Sequence, residues 1–209
     1  MEKKIYEVIV VGGGMAGVCA AIASARTGAC TALIQDRPVL GGNASSEIRM
    51  HICGATHHGH RENARETGIL EEILLENRSR NPQHSFSIFD TVLWEKVRQE
   101  EKLELYLNTR VTDVEAADGR ILNLKAHQLT TEKEFILEGT LYMDCTGDGM
   151  IAARAGASVR QGREGRTEFG ETYAPDEPDT GTMGNSLMFR AVDMGKPVPF
   201  KRPQWAYEY

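Results

Sequence analysis

The residues best spaced to do chemistry begin at Gly12-Gly13-Gly14-Met15-Ala16-Gly17, a G-x-G-x-x-G sequence that follows the apolar run Ile5 to Val11. Between a strand and a helix, each glycine of such a sequence has its own task. Gly12 permits the tight turn, Gly14 lets a pyrophosphate approach the backbone, and Gly17 lets the helix pack on the strand. The amides that open the helix, at Met15 and Ala16, then face phosphate with a favourable dipole. The chemistry implied is the binding of a dinucleotide. A tight strand-to-helix turn with no ligand is the bland alternative. Glycine is also the compositional outlier, at 21 of 209 residues against an average of about 7%. Its further clusters, Gly41-Gly42 and Gly147 with Gly149, have no period that would suggest collagen or a linker.

A dinucleotide site calls for a carboxylate at the end of the second strand, where it accepts from the adenosine ribose. Gln35 stands there, with Asp36 next. Glutamine accepts the same bond without charge assistance, and Asp36 serves instead if the strand ends one residue later. Further along, Thr146-Gly147-Asp148 follows an apolar run. Asp148 there either accepts from cofactor hydroxyls or caps the helix beginning at Gly149.

These residues need elements to hold them. Ile5 to Val11 and Thr31 to Gln35 are β-branched-rich runs that suit strands buried on both faces. The alanine-rich Met15 to Thr27 lies between them as a helix, with Gly28 as its left-handed terminator. This βαβ unit implies a parallel sheet. Arg37 to Glu66 carries no periodicity and reads as a long loop of the kind that serves function. Two helices follow, one with an Ile69, Leu70, Ile73, Leu74 stripe and one with Phe89, Leu93 and Val97, the second capped by Ser87 and Asp90. Leu103 to Leu107 returns to the sheet. A β-meander then runs through Val111 to Ala116, Ile121 to Leu129 and Glu134 to Leu137, with Leu141 to Asp144 as a separate strand. After Ser158 the texture turns polar, with one strand candidate at Ser186 to Val192. The expected organisation is an α/β, Rossmann-like domain over 1–158 with a parallel sheet and an inserted antiparallel meander, and the start of a second, substrate-facing domain over 159–209.

Composition narrows the function classes. Twenty-four Lys and Arg against thirty Asp and Glu leave a formal charge of −6. That argues against a phosphate-backbone binder, whose affinity rests on clustered positive charge. No apolar run reaches the length of a bilayer span. Cys19, Cys30, Cys53 and Cys145 form no CxxC pair, so a reducing, cytoplasmic setting is expected. Cys19, Cys30 and Cys145 read as packing residues. Arg160, Arg163, Glu164, Arg166, Glu168 and Glu171 form a mixed-charge run that is either a solvated face or a polar recognition surface.

Taken together, Gly12-Gly13-Gly14-Met15-Ala16-Gly17, Leu40-Gly41-Gly42-Asn43-Ala44-Ser45-Ser46-Glu47-Ile48-Arg49 and Asp144-Cys145-Thr146-Gly147-Asp148-Gly149 resemble the bacterial FAD-dependent oxidoreductases of the glutathione-reductase-like superfamily. The similarity extends into Pro203-Gln204-Trp205-Ala206. The resemblance implies FAD as cofactor, with Arg37, Gly41, Gly42, Asn43 and Ser45 along its adenosine and pyrophosphate. It also implies that the Val111 backbone meets the adenine and that Thr146 and Gly147 pass near the cofactor. The loop from Asn43 to His60 would then run toward the isoalloxazine ring. Arg49, His51, His57 and His58 are accordingly the catalytic candidates, with solvated loop histidines as the alternative. The His57-His58-x-His60 spacing fits no zinc pattern, and no metal is expected. The disulfide reductases of this superfamily carry a cysteine pair soon after the second glycines; Cys53 stands alone there.

The function implied is hydride transfer between a small polar organic substrate and flavin, with electrons passed to a separate acceptor. A non-catalytic dinucleotide-binding module and an NAD-binding dehydrogenase without flavin remain open. A tRNA-modifying flavoenzyme shares the glycine pattern, but the acidic balance and lack of basic clusters argue against it. Because such flavoproteins return to the sheet with a later strand, the chain is expected to be part of a longer protein.

Overall fold

The structure, a computed structural model, describes residues 1–54, 60, 64–184 and 191–207. Two compact units divide the chain, Met1–Arg160 and Gln161–Tyr209. The first is built on a six-stranded sheet of β1 (Glu2–Val11), β2 (Thr31–Ile34), β3 (Leu103–Tyr106), β4 (Thr109–Ala117), β5 (Arg120–Gln128) and β6 (Lys133–Asp144). Its helices are α1 (Met15–Arg26), α2 (Gly68–Arg80), α3 (Phe86–Arg98) and the short α4 (Met150–Arg154).

The strand order is β3-β2-β1-β6-β5-β4. β1 pairs in parallel with β2 and β6, and β2 pairs in parallel with β3; β5 is antiparallel to β4 and β6. Alternation along β1 sends Val8 and Val10 to one face and Ile9 and Val11 to the other. The first face packs against α1, α2 and α3 through Val18, Ile22, Ile73, Val92 and Leu93. The second collects Ile34, Tyr106, Val111, Leu124, Phe135, Leu137 and Ile151.

β3 and β4 lie at opposite ends of the strand order, yet only Leu107 and Asn108 separate them in the chain. The sheet must therefore bend round until the start of β4 meets the end of β2. Backbone bonds record the closure: Gln35 donates to Tyr106 (2.8 Å), Thr109 to Gln35 (2.9 Å) and Asn108 to Arg37 (3.1 Å). Gln128 adds a side-chain bond from Nε2 to the Leu107 carbonyl at 3.1 Å. The β4–β5 hairpin turns on Asp118 and Gly119, both at positive φ (51° and 72°), the conformation that matches the strand twist in a two-residue turn.

Three expectations need correction. Glu134 to Leu137 and Leu141 to Asp144 are one strand, β6, because β1 begins at Glu2 and pairs with it from Phe135 to Asp144. Glu138-Gly139-Thr140, which looks like a break, stays in the ladder; a Cβ at Gly139 would lie 2.9 Å from Ile9 Cδ1. The second correction concerns α3, which begins at Phe86 after Ser85 with no side-chain cap. Asp90 instead accepts from the Ser46 amide at 2.9 Å, tying the loop after β2 to the helix. Asn81 holds the turn before α3, its Oδ1 accepting from the Ser85 amide at 2.7 Å. Third, Cys30 is exposed, because its backbone is used by Glu7 and Val8 while its side chain faces outward; Cys19 and Cys145 pack against the helical core. None of the four cysteines is in a disulfide.

The second unit contains α5 (Arg166–Phe169) and a two-way backbone pairing of Arg163 with Asp179 at 3.0 and 3.1 Å. Arg163 also binds the Asp179 carboxylate through its side chain, and Arg166 pairs with Asp176 at 3.1 Å. Arg163 and Arg166 of the mixed-charge run are thus engaged locally. Of the strand candidate Ser186 to Val192, residues 186–190 lie outside the described residues, and 191–192 form no strand.

Candidate cofactor-binding groove

β1, β2 and β6 run parallel and end together at Val11, Ile34 and Asp144. The loops that leave these ends surround a groove of about 610 Å³, within the range of about 300–1,000 Å³ typical of small-molecule sites. The first loop shows which glycines serve the protein and which leaves room for something else. A Cβ at Gly12 would lie 2.2 Å from the Cys145 carbonyl oxygen, and φ there is +103°. A Cβ at Gly17 would lie 1.8 Å from the Gly12 oxygen. Gly13 is pinned as well, its Cβ position 2.7 Å from Leu40 Cδ2. A Cβ at Gly14 would meet no described residue beyond its own turn within 4 Å. Gly14 is also the N-cap of α1, and no side chain caps that end. The amides of the first turn lack intrahelical partners, and Gly14, Met15 and Ala16 line the groove.

The paired glycines of the second loop lie against the first. The Gly41 amide donates to the Gly13 carbonyl at 2.8 Å, and a Cβ at Gly42 would be 3.2 Å from Gly14 Cα. Beyond them the chain folds on itself, with Ser45 donating to Gly42 at 3.1 Å and Met50 to Asn43 at 2.8 Å. That turn delivers Met50, His51 and Ile52 to the groove wall.

Several expected residues have other work. Gln35 is buried, 5% exposed, and its amide is used within the protein. Its Oε1 accepts from the Gly13 amide at 2.8 Å and its Nε2 donates to the Val39 carbonyl at 3.1 Å. It borders the groove but braces the two glycine loops together, which leaves Asp36 as the free carboxylate at that end. Arg37 forms a two-bond pair with Glu47, at 2.7 and 2.9 Å, and that pair holds its guanidinium above the usual range. Ser45 turns inward, its hydroxyl on the Gly42 carbonyl at 2.7 Å. Gly13 and Ser45 therefore support the groove without lining it. Arg49 does not line it either; it sits at φ 64° with Nε on the Ser46 carbonyl at 3.0 Å, shaping the turn. His51 does line the groove, whereas His57 and His58 lie outside the described residues.

The third loop resolves the choice posed for Asp148. Asp144, at the end of β6, accepts from the Thr146 amide and hydroxyl at 3.1 and 2.7 Å and from the Ala152 amide at 2.9 Å. Burial pushes the Asp144 carboxyl up, but these hydrogen bonds outweigh it and hold it below its ordinary value. The Thr146 hydroxyl in turn accepts from the Met150 amide at 3.2 Å. With capping done by Asp144 and Thr146, Asp148 is left exposed on the groove beside Thr146 and Gly147. Cys145, beneath the same loop, has its thiol pushed up by burial and by Asp144, opposite in direction to the shift that activates a thiol.

Val111 lines the groove, with Thr109 and Arg110, which sequence reading missed. The two-residue link between β3 and β4 is what brings them there, and no local motif marks it. Met50 and Ile52 were also missed, although they flank His51 as the one apolar alternation in a polar loop.

A groove at the carboxyl ends of parallel strands, beside an uncapped helix N-terminus and between two interlocked glycine loops, defines a Rossmann-like dinucleotide-binding protein. The chain belongs to the FAD dependent oxidoreductase family, whose model matches residues 7–208. FAD is the cofactor of this enzyme family, and the open cradle at Gly14 and the free carboxylates Asp36 and Asp148 fit it. The chain is 33% identical over 167 residues to the tRNA uridine 5-carboxymethylaminomethyl modification enzyme MnmG of Mycoplasma mycoides subsp. mycoides SC, covering 66% of this chain and 26% of that protein. Among solved structures it is similar to a geranylgeranyl bacteriochlorophyll reductase-like protein of Thermoplasma acidophilum, with TM-score 0.54 and 18% identity over 77% of this chain and 45% of that one. It is also similar to Mycobacterium smegmatis Sdh1, with TM-score 0.53 and 15% identity over 74% of this chain and 39% of that one. The structural likenesses speak for the fold, and the chain spans about a quarter of the length of the curated relative it matches.

Proposed function

We propose that this chain holds FAD in the groove and forms the cofactor-binding part of an oxidoreductase acting on a small organic substrate. The observation that carries the reading is the contrast among the glycines. Gly12 and Gly17 are required by protein contacts, whereas Gly14 faces open space at an uncapped helix N-terminus. The amides of Met15 and Ala16 bind the pyrophosphate there. Asp36 accepts from the adenosine ribose, the Val111 backbone meets the adenine, and Asp148 accepts from the ribityl hydroxyls. Gln35, Asp144 and Asp90 position the three loops. When bound, FAD supplies the hydride acceptor, and its electrons pass to a separate acceptor. His51, which lines the groove, holds or moves a proton there. Arg49 acts as a turn former, outside the reaction.

Two further parts of the reading concern context. The four free cysteines support a cytoplasmic setting, and no helix among the described residues is long and apolar enough to cross a membrane. A second reading, tRNA modification, is favoured by the 33% identity to MnmG and opposed by the formal charge of −6.

Purified chain titrated with FAD tests the first reading. Saturable binding, read from a shift of the flavin absorbance bands and insensitive to NAD, is expected. Binding of NAD with no binding of FAD would overturn it. Salt-sensitive binding of tRNA at micromolar concentration would move the case to the second reading.

A further inference from the structure

A second cavity, of about 340 Å³, adjoins the groove. We infer that it is the substrate pocket of the oxidoreductase, and that it takes a small, mainly apolar compound carrying one hydroxyl or carboxylate. The inference deepens the proposed function and rests on that reading.

Its position is the first argument. Ala44, Met50, His51 and Ile52 line both the groove and this cavity. One short stretch of chain therefore separates the two spaces, and a group bound in the second reaches the first across it. This stretch is held in place by the Met50–Asn43 backbone bond, at 2.8 Å.

The walls give the chemistry. Leu74 comes from α2, and Phe86 and Phe89 from α3, with Met50 and Ile52 opposite. Such a lining suits a hydrocarbon ring or branched chain. Asn81, although buried, offers no free polar atom: its Nδ2 donates to Asn77 Oδ1 (2.9 Å) and the Ser85 carbonyl (2.8 Å), and its Oδ1 accepts from the Ser85 amide. What remains is the Asn77 amide nitrogen, the Ser85 hydroxyl and the imidazoles of His84 and His51, none of which has a partner among the described residues. These four groups can bond one oxygen-bearing end of a ligand, and the rest of the wall, with Leu74, Phe86, Phe89, Met50 and Ile52, is apolar. The volume holds roughly ten to fifteen non-hydrogen atoms, taking about 30 Å³ per water displaced. A sugar-like substrate, the natural reading of a polar specificity, fits this lining poorly.

The test titrates the full chain, with and without FAD, against benzoate, benzyl alcohol and glucose. Binding is read by calorimetry and by the ring NMR shifts of His51 and His84. Saturable binding of benzoate or benzyl alcohol, with movement of both histidine signals and no response to glucose, is expected; which of the two binds identifies the oxygen group. Leu74→Trp, which fills the cavity from α2 without touching the groove, should weaken that probe at least tenfold. FAD affinity should change less than twofold. If a thermal melt shows that Leu74→Trp fails to fold, Phe86→Trp takes its place. Failure of both aromatic probes to bind, binding of glucose instead, or unchanged probe affinity in the filled variant overturns the inference. So does loss of FAD in a folded filled variant, since the cavity would then belong to the cofactor. Probe binding that is sensitive to Leu74→Trp in a chain unable to bind FAD would leave the pocket standing and remove FAD binding by this chain from the proposed function.

Discussion

Gly14 and Gly17 are three residues apart in one motif, yet alanine at each should have opposite consequences. At Gly17 the new methyl would sit 1.8 Å from the Gly12 carbonyl oxygen, which is backbone and cannot swing aside. Gly17→Ala should therefore cost stability, on the order of 1–3 kcal/mol as for other overpacked sites, and lower the melting temperature. Gly14 has φ −65° and ψ 178°, a conformation alanine adopts freely, and no described residue beyond its own turn lies within 4 Å of the added carbon. Gly14→Ala should melt within about 2 °C of the parent and lose FAD affinity by about tenfold or more, roughly 1.4 kcal/mol. Calorimetry beside a flavin titration separates the two. Normal FAD affinity in Gly14→Ala would mean that no phosphate approaches this backbone. The motif announced these roles in the sequence because each follows from a backbone need that glycine alone meets. Gln35 was less legible. Its type and place suggested a ribose contact, and only the approach of the Gly13 amide and the Val39 carbonyl revealed a brace.

At the scale of elements, α1, α2 and α3 are joined by ion pairs as well as by their apolar faces. Glu72 of α2 accepts from Arg26 of α1 at 2.7 and 3.0 Å and from Lys96 of α3 at 2.8 Å. Those bonds lower the Glu72 carboxyl from 4.5 to about 2. A carboxylate depressed on folding contributes stability above its unfolded value and loses it as the pH falls through the folded one. The contribution is thus complete above 4.5 and fades toward 2. The Glu72 side chain is 37% exposed, so solvent screening keeps the gain at or below about 1 kcal/mol. Urea midpoints measured from pH 6 down to about 2.5 should fall less steeply for Glu72→Gln than for the parent, and a parallel fall would refute the linkage. The helices were readable because their stripes repeat at the helical period. β6 was not, because Glu138-Gly139-Thr140 carries no strand signature. What keeps it in the sheet is β1, ten residues long and paired from Glu2 to Val11, a partner remote in sequence. The same remoteness hid Thr109 and Arg110 from the site.

For the whole molecule, the distribution of buried side chains sets an expectation about where stability resides. Among the described residues, every buried hydrophobic residue lies between Tyr6 and Ile151, in the first unit. Among the described residues after Arg160, only Gly165 is buried, while Phe169, Tyr173, Phe200, Trp205 and Tyr207 are exposed. Ordering a residue costs about 1–2 kcal/mol of backbone entropy, and the described residues of the second unit, burying no apolar side chain, have little to set against that cost. The cooperative melt should therefore belong to residues 1–160. A chain ending at Arg160 should keep the far-UV spectrum of the sheet and helices and melt within about 3 °C of the full chain, a shift equivalent to about 1 kcal/mol. Its flavin titration should be unchanged, since every residue lining the groove lies between Val11 and Met150. Limited proteolysis of the full chain should cut first between 161 and 209, leaving a resistant fragment that carries both cavities. A large loss of melting temperature on removing 161–209 would show that the second unit supplies stabilising contacts, and the two units would then have to be treated as one folding body.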